Sequence, residues 1–358
     1  MSRRQRKAHA RCAPRRDNGG GLMTAMTEAW GKFAICVALI AVAGPVLARY
    51  GDIIAQRTRL SRSWIGLLLL ATATSLPELF TGVSAVTAAN APNIAVGDAL
   101  GSCVFNLAIL VVLDALNRDG SVFTRMGQGH ILTAGFGVIL IGFAAASLLL
   151  GASQFAPKFF HIGVFTPILI VLYLVAMRAA FDYEARLAIA GAVSGIEPEI
   201  GLGRAIVGYL MAAAVVAGAG VWLPFVGLDI SHAMGWRATF VGTLFVAAAT
   251  SAPELIVTLA AVRLGALDMG IANLLGSNLF NMLVLAIDDI AYQPGSLFAA
   301  ASPAHAVTAI AAVIMSGIVI VALLYRPSTR FFGVVGWTSL SLSTVYFLAS
   351  YVIYLHGH

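Results

Sequence analysis

Runs of about 20 apolar residues recur along nearly the whole 358-residue chain, each long enough to cross a bilayer as a helix. In hydrocarbon every backbone donor and acceptor needs a partner within the protein, which leaves helices and closed barrels as spanning structures. The runs lack the two-residue alternation of a barrel strand, so they read as helices. Ten spans are predicted, at 31–50, 64–88, 94–116, 130–151, 160–181, 204–224, 238–262, 270–292, 303–325 and 332–355. Composition agrees: 59% of residues are hydrophobic and 11% charged, against about 25% charged in soluble domains. Mean hydropathy is +0.90. The expected fold class is an all-α polytopic membrane protein.

The net charge of +6 is unevenly placed. The tail MSRRQRKAHARCAPRRDN carries seven of the 22 Lys and Arg and reads as a basic segment lying against anionic lipid or solvent. Nucleic-acid binding would need a folded reading surface, and none follows the tail. Basic residues before an apolar run ending GPVLA also fit a secretory signal. The run is long and no small-residue cleavage site stands out, so it is assigned as the first span. Alternate loops carry Arg49, Arg57, Arg59, Arg62, Arg118, Arg125, Arg178, Arg186, Arg204, Arg263, Arg326 and Arg330, whereas the opposite loops carry only Lys158 and Arg237. The positive-inside rule then predicts both termini outside, and the expected location is the inner membrane. The tail and Lys32 oppose that orientation; translation from Met23 or Met26 would omit the tail. Cys12, Cys36 and Cys103 show neither metal-ligand spacing nor a disulfide framework.

A motif occurs twice. ATATSLPELF starts at Ala71 and AAATSAPELI at Ala247, 176 residues later; LGSCVFN (100–106) recurs as LGSNLFN (275–281), offset by 175. Apolar low-complexity sequence matches by chance at Leu and Ala but rarely reproduces Thr-Ser-x-Pro-Glu followed by Gly-Ser-x-x-Phe-Asn. Each copy falls in the second and third spans of a five-span half. Five is odd, so the second half is expected to enter the membrane upside down. Such inverted repeats are the layout of secondary transporters, with the substrate site near the midplane. The organisation expected is a basic tail (1–30), a first half (31–181), a connector (182–203) and a second half (204–358). The connector is too short for a folded calcium sensor.

Pro77 and Pro253 each remove a backbone donor and clash with the carbonyl four residues earlier, Ala73 or Ala249. Hydroxyls of Thr74, Ser75, Thr250 and Ser251 stand beside the resulting kinks, and Glu78 and Glu254 follow them. Ser102 with Asn106, and Ser277 with Asn281, are spaced i and i+4 and share a helix face. The donor set is almost entirely oxygen, which suits hard cations such as calcium and sodium rather than zinc or copper. An acidic residue at a membrane helix centre costs about 2.5–3.5 kcal/mol on insertion scales, so a matched pair points to function.

This constellation resembles the sodium/calcium exchangers of the cation/calcium antiporter superfamily, prokaryotic type, from about Trp30 to the chain's end. The resemblance implies ten transmembrane helices in two inverted five-helix repeats. It also implies that Glu78 and Glu254 ligate calcium and share sodium. Thr74, Ser75, Thr250, Ser251, Ser102, Ser277 and the carbonyls of Ala71 and Ala247 would complete the sodium sites, with Asn106 and Asn281 at the remaining central positions. Three residues depart from the pattern. Asn281 stands where many exchangers carry Asp, Cys103 replaces the Asn of Gly-Ser-Asn, and Asp98 stands where Asn is common. Asp98 either restores charge near the site or lies at a wet helix end.

The expected function is alternating-access exchange of calcium for sodium, with about two monovalent cations per calcium. Calcium and sodium are the transported ions; the lipid bilayer is the medium, and neither a resident cofactor nor an obligatory protein partner is expected. A proton/calcium antiporter of the same superfamily is the alternative. A passive channel suits kinked helices and a duplicated charged site less well than occlusion does. An intramembrane hydrolase using Ser75 or Ser251 would need a nearby base. His9, His130, His161, His232, His305, His356 and His358 lie in the tails or near predicted span ends.

Overall fold

The computed structural model describes residues 19–57, 71–117, 120–151, 158–189, 200–263, 267–327, 330–331 and 335–356. Residues 1–18 of the basic tail, the start of the second predicted span and residues 190–199 of the connector lie outside them. The long helices are α1 (Gly19–Arg57), α4 (Pro92–Leu116), α5 (Gly129–Gly151), α6 (Phe165–Ile189), α7 (Leu202–Met234), α11 (Leu267–Ala291), α12 (His305–Tyr325) and α13 (Trp337–His356). Between α1 and α4 lie α2 (Ala71–Thr74) and α3 (Leu76–Thr87). Between α7 and α11 come α8 (Ala238–Val241), a π-helical turn (Gly242–Val246), α9 (Ala247–Thr250) and α10 (Ala252–Arg263).

Eight helices among the described residues are long and apolar enough to cross a bilayer, nine if the pair Ala238–Thr250 and Ala252–Arg263, bent by 41°, is one crossing. The second predicted span is described only from Ala71 onward, as α2 and α3. Two short hairpins were not anticipated: β1 (Lys158–Phe159) with β2 (Ile162–Gly163), and β3 (Arg330–Phe331) with β4 (Val335–Gly336), both antiparallel. Helices α1 and α7 outrun their predicted spans, with 39 and 33 residues. An apolar window marks only the greasy part of a helix, whereas backbone hydrogen bonding continues beyond it. Pro45 and Pro224 sit inside these helices, and α7 stops at Gly235, whose φ of 68° is left-handed. Helix α6 continues to Ile189, so the predicted connector begins as helix.

The second half repeats the element order of the first in unexpected detail. Asp114, near the end of α4, accepts from the backbone N–H of Val122 (3.0 Å), from that of Gly336 (3.1 Å) and from the Ser339 hydroxyl (2.6 Å). Asp289, 175 residues later near the end of α11, accepts from the N–H of Leu297, the N–H of Gly163 (3.2 Å) and the Thr166 hydroxyl. Each carboxylate thus ties a one-turn helix, Val122–Arg125 or Leu297–Ala300, to a hairpin and to the first turn of a long helix. Charge-assisted bonds of this kind are about twice as strong as neutral ones. The hairpin that each Asp grips belongs to the other half, so the two copies are laced together.

The long helices α1 and α7 lie against the interrupted segments. A Cβ on Gly44 of α1 would meet Pro253 Cγ at 2.3 Å, and one on Gly220 of α7 would meet Phe80 Cβ at 2.9 Å and the Pro77 carbonyl at 3.2 Å. Helix α4 meets the π-helical turn just as closely. Cβ atoms on Gly97 and Gly101 would fall 2.8 Å from Thr243 N and 2.2 Å from Thr243 O. Small residues four apart permit such backbone approach in membranes, where packing rather than hydrophobicity drives association.

Candidate cation site between the two repeats

Both Thr-Ser-x-Pro-Glu segments break at the serine, two residues before the proline. Ser75 has φ −92°, ψ 11° and Ser251 φ −82°, ψ 7°, in the bridge region between helix and strand. Ser75 N donates to Ala71 O and Leu79 N to Ser75 O at 3.0 and 3.3 Å; Ser251 N to Ala247 O and Leu255 N to Ser251 O have the same lengths. The break opens a new helix, with Glu78 and Glu254 in the first turns of α3 and α10. There the unsatisfied N–H groups and the helix dipole favour negative charge. A proline early in that turn removes a donor that would have been unpaired anyway.

The two breaks are bonded crosswise. Ser75 Oγ donates to Glu254 Oε1 at 2.9 Å, and Ser251 Oγ donates to Glu78 Oε1 at 3.1 Å. Both glutamates are fully buried within the protein, 0% exposed. Flanking them, Thr74 Oγ1 lies 3.2 Å from Ala71 O, 3.2 Å from Asn273 Oδ1 and 3.4 Å from Ser277 Oγ. The mirror set has Thr250 Oγ1 at 3.2 Å from Ala247 O, 2.8 Å from Asp98 Oδ1 and 3.4 Å from Ser102 Oγ. Ser277 Oγ also donates to Glu254 Oε1 at 3.1 Å, and Ser102 Oγ to Ala247 O at 3.5 Å. On α4 and α11, Asn106 Nδ2 donates to Asn278 Oδ1 at 3.1 Å, and Asn281 Nδ2 lies 4.0 Å from Cys103 Sγ.

All twelve residues singled out from the sequence therefore fall in buried hydrogen-bonded clusters, one of hydroxyls, carbonyls and carboxylates at the two breaks and one of amides around Cys103, which together make the candidate network. Three more belong to it. Asp98 is 1% exposed and bonded to Thr250, so the wet-helix-end alternative fails. Asn273, its counterpart at the offset of 175, holds Thr74 in the same way. Asn278 links Asn106 to the Cys103 backbone. The repeat offset, applied to Asp98, would have found Asn273.

Within the network Glu78 Oε2, Glu254 Oε2, Asn106 Oδ1 and Asn281 Oδ1 are buried without a hydrogen-bond partner among the described residues. Leaving one buried acceptor unsatisfied costs about 1–3 kcal/mol, and more for a charged one. Unpartnered buried oxygens of this kind, on carboxylates and amides, are what a hard cation would satisfy. Among the described residues no group of three or more His, Cys, Asp or Glu side chains is placed to hold a metal ion. The donor set thus rests on two glutamates with hydroxyl and amide oxygens.

A family profile described as sodium/calcium exchanger protein matches the chain twice, over residues 28–181 and 204–356. The chain belongs to the sodium/calcium exchanger family. Each match covers one copy of the repeat. The chain is 29% identical over 310 residues to the membrane protein MJ0091 of Methanocaldococcus jannaschii, covering 84% of this chain and 88% of that protein. It is 28% identical over 233 residues to inner membrane protein YrbG of Escherichia coli, covering 62% and 66%. The solved sodium-calcium exchanger NCX_Mj, soaked with 2.5 mM Na+ and 10 mM Sr2+, superposes with a TM-score of 0.59 at 22% identity, over 90% of this chain and 98% of that one. This exchanger-family chain is accordingly a multi-pass membrane protein of the NCX_Mj fold, and its family is one of cation antiporters rather than enzymes.

Proposed function

We propose that the protein exchanges calcium for sodium by alternating access, at a site formed by Glu78, Glu254, Thr74, Ser75, Thr250, Ser251, Ser102, Ser277, Asn106, Asn281 and the carbonyls of Ala71 and Ala247. The single observation that carries this reading is the crossed Ser75–Glu254 and Ser251–Glu78 pair, which leaves the second oxygen of each buried glutamate without a partner among the described residues. Because each glutamate is held by the opposite repeat, movement of one half relative to the other changes both ends of the cage together. Calcium between two carboxylates, or two monovalent cations, neutralises the pair; the empty cage keeps its charge in a dry interior. That cost disfavours crossing unloaded and enforces exchange. The reading includes ten helices in two inverted halves flanking the connector, an inner-membrane location and both termini outside.

The deciding experiment is 45Ca2+ uptake into proteoliposomes with sodium and pH gradients imposed separately. Uptake driven by the sodium gradient at equal pH on both sides supports sodium/calcium exchange; uptake driven only by the pH gradient makes the protein a proton/calcium antiporter. Two carboxylates imply near-electroneutral exchange, so uptake should respond weakly to an imposed potential.

A further inference from the structure

Asp288 lies in the membrane-spanning helix α11, fully buried within the protein, and neither of its carboxylate oxygens has a hydrogen-bond partner among the described residues. It is a different kind of residue from its neighbour Asp289, whose two oxygens are both bonded. Its position is set by a glycine. A Cβ on Gly82 would fall 2.2 Å from Asp288 Oδ2 and 2.7 Å from Oδ1, so only a residue without a side chain admits the carboxylate against the α3 backbone. Gly82 follows Glu78 by four residues and so shares its helix face, about 6 Å further along the axis.

Two further unpartnered oxygens belong to helices α3 and α4. Asp98 on α4 is buried with one oxygen bonded to Thr250, and its Oδ2 has no partner among the described residues. The Thr81 hydroxyl, next to Gly82, is likewise buried and unpartnered. The charged residue next to Asp288 on its own helix is Asp289, also acidic. A buried carboxylate with no donor and no positive neighbour is costly unless something neutralises it.

We propose that Asp288 anchors a second cation station, one helical turn from the central cage toward the loop joining α3 to α4, where it holds a monovalent hard cation. Asp98, bonded to Thr250 of the cage through one oxygen, keeps its other oxygen open. One carboxylate matches one sodium ion, and oxygen donors match sodium chemistry. The station rests on the antiport reading for its role in transport, but its occupancy is measurable independently.

The experiment uses the full chain in detergent micelles, following the unfolding midpoint as NaCl replaces N-methyl-D-glucamine chloride at constant ionic strength, and separately with CaCl2. In Glu254→Gln the calcium-dependent rise should be lost while a sodium-dependent rise of about 2 °C or more persists. In Asp288→Asn calcium should act at concentrations within about threefold of wild type, with a smaller sodium response. The double variant should show no sodium response. A double variant that responds to sodium as Glu254→Gln does, or a Glu254→Gln protein with no sodium response, overturns the station. An Asp288→Asn protein with an unchanged sodium response and altered proton dependence also overturns it, making Asp288 a proton carrier. If the central cage is wrongly placed, Glu254→Gln keeps the wild-type calcium response, and the station is still read from Asp288→Asn against wild type.

Discussion

Cys103 and Asn278 hold one another's backbone where the two repeats meet: Asn278 Nδ2 donates to the Cys103 carbonyl at 3.2 Å, and Cys103 Sγ lies 3.7 Å from the Asn278 carbonyl. They occupy the same position in the two motif copies, so the contact lies where the duplicated helices face each other. The two sides are unequal, because Asn278 Oδ1 also accepts from Asn106. Asn278→Ala strands the Asn106 amide and should lower stability by about 1–3 kcal/mol. Cys103→Ala loses a weak thiol contact and should cost less. Unfolding midpoints of the two variants check the order.

Glu78→Gln and Glu254→Gln should each reduce calcium exchange by about 100-fold or more while leaving the protein inserted. A buried cation that loses one of two charged ligands forfeits several kcal/mol. 45Ca2+ uptake at matched protein density in proteoliposomes tests this, and near-normal uptake by both variants would refute the proposed cage.

The crossed serines make a finer prediction. Ser75→Ala and Ser251→Ala each delete a hydrogen bond to a carboxylate, a bond worth about 1.5–3 kcal/mol, so calcium affinity should change by roughly tenfold in both. A double-mutant cycle on Ser75 and Glu254 should give a coupling of about 0.5–3 kcal/mol, whereas Ser75 with Ser339, which lies outside the cage network, should be additive.

Close packing between α4 and the π-helical turn supplies a test with an internal control. Gly101→Ala would place a methyl 2.2 Å from the Thr243 carbonyl oxygen, where backbone must move, and should destabilise by about 1–3 kcal/mol. Gly137→Ala on α5 meets nothing within 4 Å and should be neutral or slightly stabilising, since Ala outranks Gly in helices by about 1 kcal/mol. Thermal unfolding of both in the same detergent compares them directly.

Removing either lacing carboxylate should be costly without touching the cage. Asp114→Ala leaves Ser339 and the N–H groups of Val122 and Gly336 without their acceptor, and Asp289→Ala does the same to Thr166, Leu297 and Gly163. Each should lower stability by about 2–5 kcal/mol, with the calcium concentration for half-maximal stabilisation of the surviving fold little changed.

Much of the helical membrane architecture and of the candidate site was already written in the chain, because both depend on local residue types. Apolar runs specify spanning helices since lipid admits few other structures, and the duplicated Thr-Ser-x-Pro-Glu and Gly-Ser-x-x-Phe-Asn segments mark oxygen-rich positions that lipid would penalise. What the chain alone left open depends on three-dimensional neighbours. Asp98 read equally as a ligand-side charge or a wet helix end, and only its burial beside Thr250 decides between them. Asp114 and Asp289 carry no local signal of their lacing role, because the hairpins and helix starts they grip in the opposite half lie far away in sequence. The crossing of Ser75 to Glu254 and Ser251 to Glu78, spanning 179 and 173 residues, is likewise invisible to any local pattern. Sequence sets which groups cannot face lipid; tertiary packing sets which of them face each other, since that depends on the closeness that Gly44, Gly82, Gly101 and Gly220 permit.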